Sequence, residues 1–171
     1  MAFNFRHFDV EDELSSMRVG TDAMLLGAWA DPGKAANILD IGTGCGVLAL
    51  MMAQKSQATI DAIDIDLPSI TEAQFNFNRS PWHDRLVAVQ GSLRDFTRNA
   101  AQTYGFIISN PPYFSNSRLS PTERKNNTRH DRSLPAEELL REVSGILAGD
   151  GSFAMVLPAG LAEGFIAAGI A

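Results

Sequence analysis

The chain has 171 residues and a formal net charge of −6, with 45% hydrophobic and 20% charged residues. That balance excludes a disordered or fibrous protein and fits the length of one domain able to bury a core. The acidic balance also excludes a general attraction to nucleic acid, so binding of that kind has to come from a local basic patch. Cys45 is the only cysteine, which leaves no internal disulfide, and no Cys/His group has zinc spacing, so no metal site is expected. The opening residues, Met1 to Glu13, break their apolar pairs with charges and cannot form the apolar core of a secretion signal. No run approaches the ~18 apolar residues of a membrane helix. A soluble, cytoplasmic protein with no membrane partner is expected.

In chain order, residues 1–30 form a preface. It has an extended stretch from Phe3 to Val10, then "RVGTDAMLLGAWA", where Thr21 or Asp22 can cap a helix whose apolar face carries Leu25, Leu26 and Trp29. From residue 35 onward, β-branched apolar runs alternate with helix-period stretches, the pattern of βαβ units around a parallel sheet. "ANILDIG" is the first strand and "VLALMMAQK" its helix. "ATIDAIDID" is the second strand, with Asp66 and Pro68 starting a helix to about Asn78. "RLVAVQG" is the third, and Ser92 caps a helix over Leu93 to Ala101. "YGFIISN" is the fourth, "LPAEELLREVSGILA" a helix, and "GSFAMVLP" the fifth. Trp29 and Trp82 read as packing residues. The segment from Phe114 to Leu134 has no clear periodicity, and loops of that length are usually functional. After the fifth strand only "AGLAEGFIAAGIA" remains, one short helix. The expectation is a single α/β domain, a mainly parallel sheet with helices on both faces. It is expected to stop after its fifth strand, leaving a sheet edge that a second copy could cover in a dimer.

"DIGTGCGV" places Gly42, Gly44 and Gly46 at the tip of the first strand, where positive φ is needed and a ligand can approach the backbone. Asp64, 18 positions past Gly46, ends the second strand near the place of an acid that binds a ribose hydroxyl. The glycine spacing is one residue tighter than the dinucleotide fingerprint, which favours a nucleoside ligand without phosphates. Cys45 reads as a small filler in this turn. "SNPPYF" follows the fourth strand: Pro111 and Pro112 fix φ and restrict the residue before each. The Asn110 side chain and the Pro111 carbonyl then present two acceptors to a planar NH₂ group, and Tyr113 can stack on the ring that carries it. Holding both amine hydrogens favours the pyramidal nitrogen whose lone pair can attack, without a metal or strong base.

At these residues the chain resembles the S-adenosylmethionine-dependent methyltransferases of the Rossmann-like class I fold that act on exocyclic or amide nitrogens. "FRHFDV", "MRVGTDAMLLGAWA", "NRSPWHDRL" and "IISNPPYF" are similar, more narrowly, to the bacterial adenine-N6 methyltransferases that act beside the anticodon of a valine tRNA. The resemblance implies S-adenosylmethionine as cofactor and tRNA as partner. It implies a cofactor motif of Asp40, Gly42, Gly44 and Gly46, with Asp64 on the ribose and Thr21 and Asp22 over the cofactor. Asn110 would border both cofactor and base, and Asn110, Pro111, Pro112 and Tyr113 would form the catalytic motif. Ser92 stands where many relatives carry an Asp that bonds the cofactor's adenine, and further C-terminal strands of the family are absent. Arg118, Arg124, Lys125, Arg129 and Arg132, against Glu123 and Asp131, make a locally basic loop suited to RNA phosphates. Two other readings stay open: methylation of a glutamine amide in a protein, and a shortened chain that binds cofactor without transfer.

Overall fold

Alternation of apolar strands and helices gives a five-stranded sheet in the computed structural model, which describes residues 2–111 and 136–170. The strands are β3 (Asn37–Ile41), β4 (Thr59–Asp64), β5 (Leu86–Gln90), β6 (Tyr104–Ser109) and β7 (Leu147–Met155), in the order β5-β4-β3-β6-β7. All four pairings are parallel. Every carboxyl end therefore lies on one edge. The chain order reverses between β3 and β6, the switch point at which open α/β sheets bind ligands.

Ile38, Ile60, Phe106 and Ile108 face a core shared with the preface, α1 (Thr21–Trp29), α2 (Val47–Lys55) and α3 (Leu67–Arg79). Leu39, Ile41, Ile63 and Ile107 point the other way. They meet α4 (Leu93–Asn99), α5 (Ala136–Ile146) and Phe165 of α6 (Ala159–Ile170). The period-2 alternation of each strand thus feeds two apolar layers. Local signals set the helix starts as expected: the Asp66 carboxylate accepts from the Ser69 amide, and the Ser92 hydroxyl accepts from the Asp95 amide.

The preface differs from its reading. Its extended stretch is a two-stranded antiparallel ribbon, β1 (Ala2–Asn4) with β2 (Asp9–Glu11). Gly20 is the N-cap of α1, with no side-chain cap bond from Thr21 or Asp22. The buried face of α1 is Ala23, Leu26 and Gly27, while Leu25 and Trp29 are 63% and 76% exposed. The reason is steric: a Cβ on Gly27 would sit 2.3 Å from the Met51 sulfur, so α2 approaches the side with the smallest residues. Trp29 is not a packing residue. Trp82 is, meeting Phe8 edge-on with ring centroids 5.6 Å apart.

The last strand also departs from expectation, beginning at Leu147 directly after α5 and ending at Met155. Tyr104 pairs with Leu147 but Phe106 with Ser152, so two steps on β6 match five on β7 and the extra residues bulge out. A Cβ on Gly151 would lie 3.0 Å from the carbonyl oxygens of Ala148 and Tyr104, which explains the glycine in "AGDGS". Among the described residues no helix is long and apolar enough to cross a membrane.

Candidate functional site

The register of the sheet builds the site. Ile41 lies opposite Ile63 of β4 on one side and Ser109 of β6 on the other. One residue further along each chain come Asp64, the last residue of β4, and Gly42 and Asn110, which directly follow the last residues of β3 and β6, a row of carboxyl ends on neighbouring strands. The Ser109 hydroxyl donates to the Ile41 carbonyl at 2.8 Å inside the core and ties β6 to β3 just behind the row. Asn110 and Pro111 are half-buried at this edge.

The turn between β3 and α2 is held from three sides. The amides of Gly42 and Thr43 both donate to the Ile63 carbonyl, at 2.9 and 3.0 Å, and the Gly46 amide donates to the Thr43 carbonyl. The Gly44 amide donates to the Asp64 carboxylate at 3.0 Å, while the other carboxylate oxygen takes the Asp66 amide at 2.9 Å. These four amides are engaged within the protein, so the turn does not offer them as a phosphate cradle. Asp64 retains lone pairs, since a carboxylate has about four acceptor sites.

The three glycines all have positive φ, of 71°, 56° and 86°, yet they do different jobs. A Cβ on Gly46 would meet Phe77 of α3 at 2.5 Å, and one on Gly44 would meet the Ser15 hydroxyl at 3.2 Å. A Cβ on Gly42 would meet nothing within 4 Å. Only Gly42 leaves open space beside the row.

Asp40 is wholly buried beneath this turn. One of its oxygens accepts from the Thr43 hydroxyl at 2.7 Å and the Ala49 amide at 3.2 Å; the other, Oδ1, has no partner. Burial pushes its carboxyl up to about 7, against the opposing pull of those two hydrogen bonds and with a smaller push from the charge of Asp64. Asp40 therefore supports the turn from below. Cys45 is buried too, and burial pushes its thiol up to about 12, which fits an inert filler.

Thr21 and Asp22 are exposed in the first turn of α1. The hydroxyl of Ser92, besides capping α4, donates to the Asp95 carboxylate at 2.6 Å. Pro112, Tyr113, Arg118, Arg124, Lys125, Arg129 and Arg132 lie outside the described residues. A separate cavity of about 520 Å³ sits under α4, lined by Asp61, Phe96, Gln102 and Tyr104 among others, with Val89 to Gly91 at the carboxyl edge. The Asp61 carboxylate in it is bonded already, by the Tyr104 hydroxyl at 2.6 Å and the Gln102 amide at 3.3 Å.

Sequence reasoning missed three polar residues on the inner face of α3: Ser69, Glu72 and Asn76, all buried. Asn76 donates to the carbonyls of Glu11 and Cys45, both at 2.8 Å, and accepts from the Glu11 amide. The available signal was periodic: Ser69, Glu72 and Asn76 fall at helical spacing among the apolar residues Ile70, Ala73 and Phe77.

Comparison with known proteins places the chain among methyltransferases. The model of the methyltransferase small domain family matches residues 15–162. A tRNA1(Val) (adenine(37)-N6)-methyltransferase of Parabacteroides distasonis is 44% identical over 91% of this chain and 66% of its own length. One of the same name from Phocaeicola vulgatus is 41% identical over 97% of this chain and 70% of its own. The chain thus spans about two thirds of the relatives it matches. Among solved structures, the ribosomal protein L11 methylase of Lactobacillus delbrueckii subsp. bulgaricus superposes with a TM-score of 0.62 at 17% identity, covering 98% of this chain and 86% of its own. A SAM-dependent methyltransferase from Agrobacterium tumefaciens gives 0.64 at 14% identity, covering 93% and 53%. At such identities these structures establish the class I Rossmann-like fold alone. The family match over most of the chain, joined to the sequence identity of its relatives, carries more: this chain belongs to the methyltransferase small domain family.

Proposed function

We propose that this chain binds S-adenosylmethionine and the target base of a reaction that methylates N6 of an adenine in tRNA, the nucleotide being the one its relatives' names give. The single observation behind this reading is the row of Asp64, Gly42 and Asn110 at the switch point of the sheet. Identity of 41–44% to adenine-N6 methyltransferases supports the substrate class.

The residues present fit the cofactor. Gly42 leaves room where a Cβ would intrude, Asp64 has unused lone pairs, and the unpartnered oxygen of Asp40 lies in the layer below. Asp64 would hold the ribose hydroxyls, Gly42 and Gly44 would border the methionyl part, and Thr21 and Asp22 would close over it. Ser92 would face the adenine with what its cap leaves free. When bound, S-adenosylmethionine supplies an electrophilic methyl group on a sulfonium.

The protein's own contribution is orientation. The Asn110 side-chain oxygen and the Pro111 carbonyl would accept the two hydrogens of the target amine, with Pro112 fixing their geometry and Tyr113 stacking on the base. An aromatic amine is a poor nucleophile because its lone pair is spread into the ring. Fixed acceptors favour the pyramidal nitrogen and stabilise the positive charge that develops on it. The base has to leave its stack to reach this edge. Arg118, Arg124, Lys125, Arg129 and Arg132 would contact the RNA phosphates, in a cytoplasmic protein. A glutamine amide would satisfy the same two acceptors, and the identity of the relatives favours the base.

The test uses labelled S-adenosylmethionine with bulk tRNA or release-factor protein, and Asn110→Ala as control. Label is expected in tRNA and is expected to be lost in the variant. Label in protein would move the reading to the glutamine amide, and binding without transfer would refute catalysis by this chain.

A further inference from the structure

The segment from Glu11 to Val19 crosses the glycine turn as a strap, and α3 holds it there. The Glu72 carboxylate is 3% exposed and, among the described residues, has no salt-bridge partner. It accepts from three successive amides: Glu13 and Leu14 on one oxygen and Ser15 on the other, each at 2.8 Å. The Ser16 amide donates to the Ser69 hydroxyl at 3.3 Å, one helical turn before Glu72. One turn after it, Asn76 accepts from the Glu11 amide and donates to the carbonyls of Glu11 and Cys45. The strap closes on itself where the Val19 amide donates to Asp12 at 3.1 Å. Its Ser15 hydroxyl and Met17 carbonyl then lie 3.2 and 3.7 Å from where a Gly44 side chain would begin.

A buried carboxylate without a cation is costly unless its lone pairs are filled. Here backbone amides fill them, so Glu72 and the strap fix each other. The strap's far end runs into Gly20 and Thr21, the start of α1. A ligand that borders Gly44, as the reading above has it, would therefore have beside it a segment with little regular structure of its own.

We propose that Glu72 and Asn76 are positioning residues of the cofactor site: they hold the strap against Gly44, so cofactor affinity depends on them although neither reaches the ligand. This rests on the cofactor reading above and assigns a role to α3 that the reading does not contain. Loss of the carboxylate leaves three amides without acceptors and frees the strap. The rate of a turnover that begins with the site filled changes less.

The experiment measures S-adenosylmethionine binding by calorimetry, and KM and kcat for the same ligand, in the 171-residue chain. The variants are Glu72→Ala, Glu72→Gln and, as a stability-matched control, Leu86→Ala at the remote start of β5. Glu72→Ala is expected to weaken binding roughly ten- to hundredfold, the scale of lost charge-assisted hydrogen bonds, with the change in KM rather than kcat. Glu72→Gln keeps one acceptor oxygen and is expected to recover part of the affinity, which keeps the test open if the alanine variant does not fold. Leu86→Ala is expected to bind as the native chain does once folded. Unchanged affinity in both Glu72 variants overturns the proposal, and so does an equal loss in Leu86→Ala, which would mark a general effect of stability. Absence of binding in the native chain would overturn the cofactor reading itself, a result distinct from either.

Discussion

Gly42 and Gly46 share a backbone conformation but face different surroundings, and substituting each by alanine separates the proposed ligand position from a packing position. Both have positive φ, 71° and 86°, so an added Cβ costs about 1–2 kcal/mol of backbone strain at either site. At Gly46 that Cβ would also lie 2.5 and 3.0 Å from two ring carbons of Phe77 and 3.3 Å from the Ala73 methyl group. Phe77 is fully buried, so its ring has no free space to move into, and overpacking of this kind adds about 1–3 kcal/mol. Gly46→Ala is thus expected to lose roughly 2–5 kcal/mol, a large part of the ~5–15 kcal/mol that holds an ordinary domain together. Gly42→Ala has no such neighbour and should lose only the strain. Its methyl group would instead stand where no protein atom lies within 4 Å, in the space proposed for the ligand, and reduce S-adenosylmethionine affinity by about tenfold or more, since one badly placed methyl costs ~1–3 kcal/mol in a pocket. Urea unfolding gives the first quantity and calorimetric titration the second. Adding Phe77→Leu to Gly46→Ala should cost less than the two changes separately, because the smaller side chain relieves the clash. Equal stability losses at the two positions would refute the packing argument. Native affinity in Gly42→Ala would refute the place given to the ligand.

Two further outcomes follow from buried groups under the same turn. The Asp40 carboxyl is raised to about 7 in the folded chain from 3.8, so between these values the folded state holds the extra proton; the contribution is fully present below about pH 4 and is lost as pH rises through 7. The span is on the order of 4 kcal/mol, and Asp40→Asn should flatten that part of the curve in urea unfolding between pH 4.5 and 8; an identical slope in the variant would contradict it. Cys45, buried and held far from its thiolate form, should resist iodoacetamide at pH 8 in the native chain and react at once in 8 M urea; rapid native labelling would show that the turn opens.

Much of this was legible in the sequence because it is decided locally. Asp66 and Ser92 cap helices through bonds three residues long, and the strands announce themselves through β-branched runs that end in Gly42, Asp64 and Asn110. The face of α1 was not legible, and the reason is compositional: "AMLLGAW" is apolar all round, so periodicity could not choose a side. Close approach chose it. Gly27 and Ala23 admit α2, and the large residues Leu25 and Trp29 were turned outward. The bulge before Ser152 was hidden because "LAGDGS" reads equally as a helix end or a turn.

The strap shows a different limit. Its bonds to Glu72 span 57 to 59 residues, and nothing in either segment alone marks the partner. What the sequence did carry was a discord, a charged and an amide side chain on the apolar stripe of α3 with no cation three or four residues from Glu72 to answer its charge. Burial of such groups is tolerable only where backbone donors meet them, so the discord implied an irregular segment packed on that stripe. The preface is the described segment with that character, and its seat is the turn at the switch point. Glu72 breaks the apolar pattern of its helix because the wall it holds, from Glu13 to Ser15, has no strand or helix of its own to hold it otherwise.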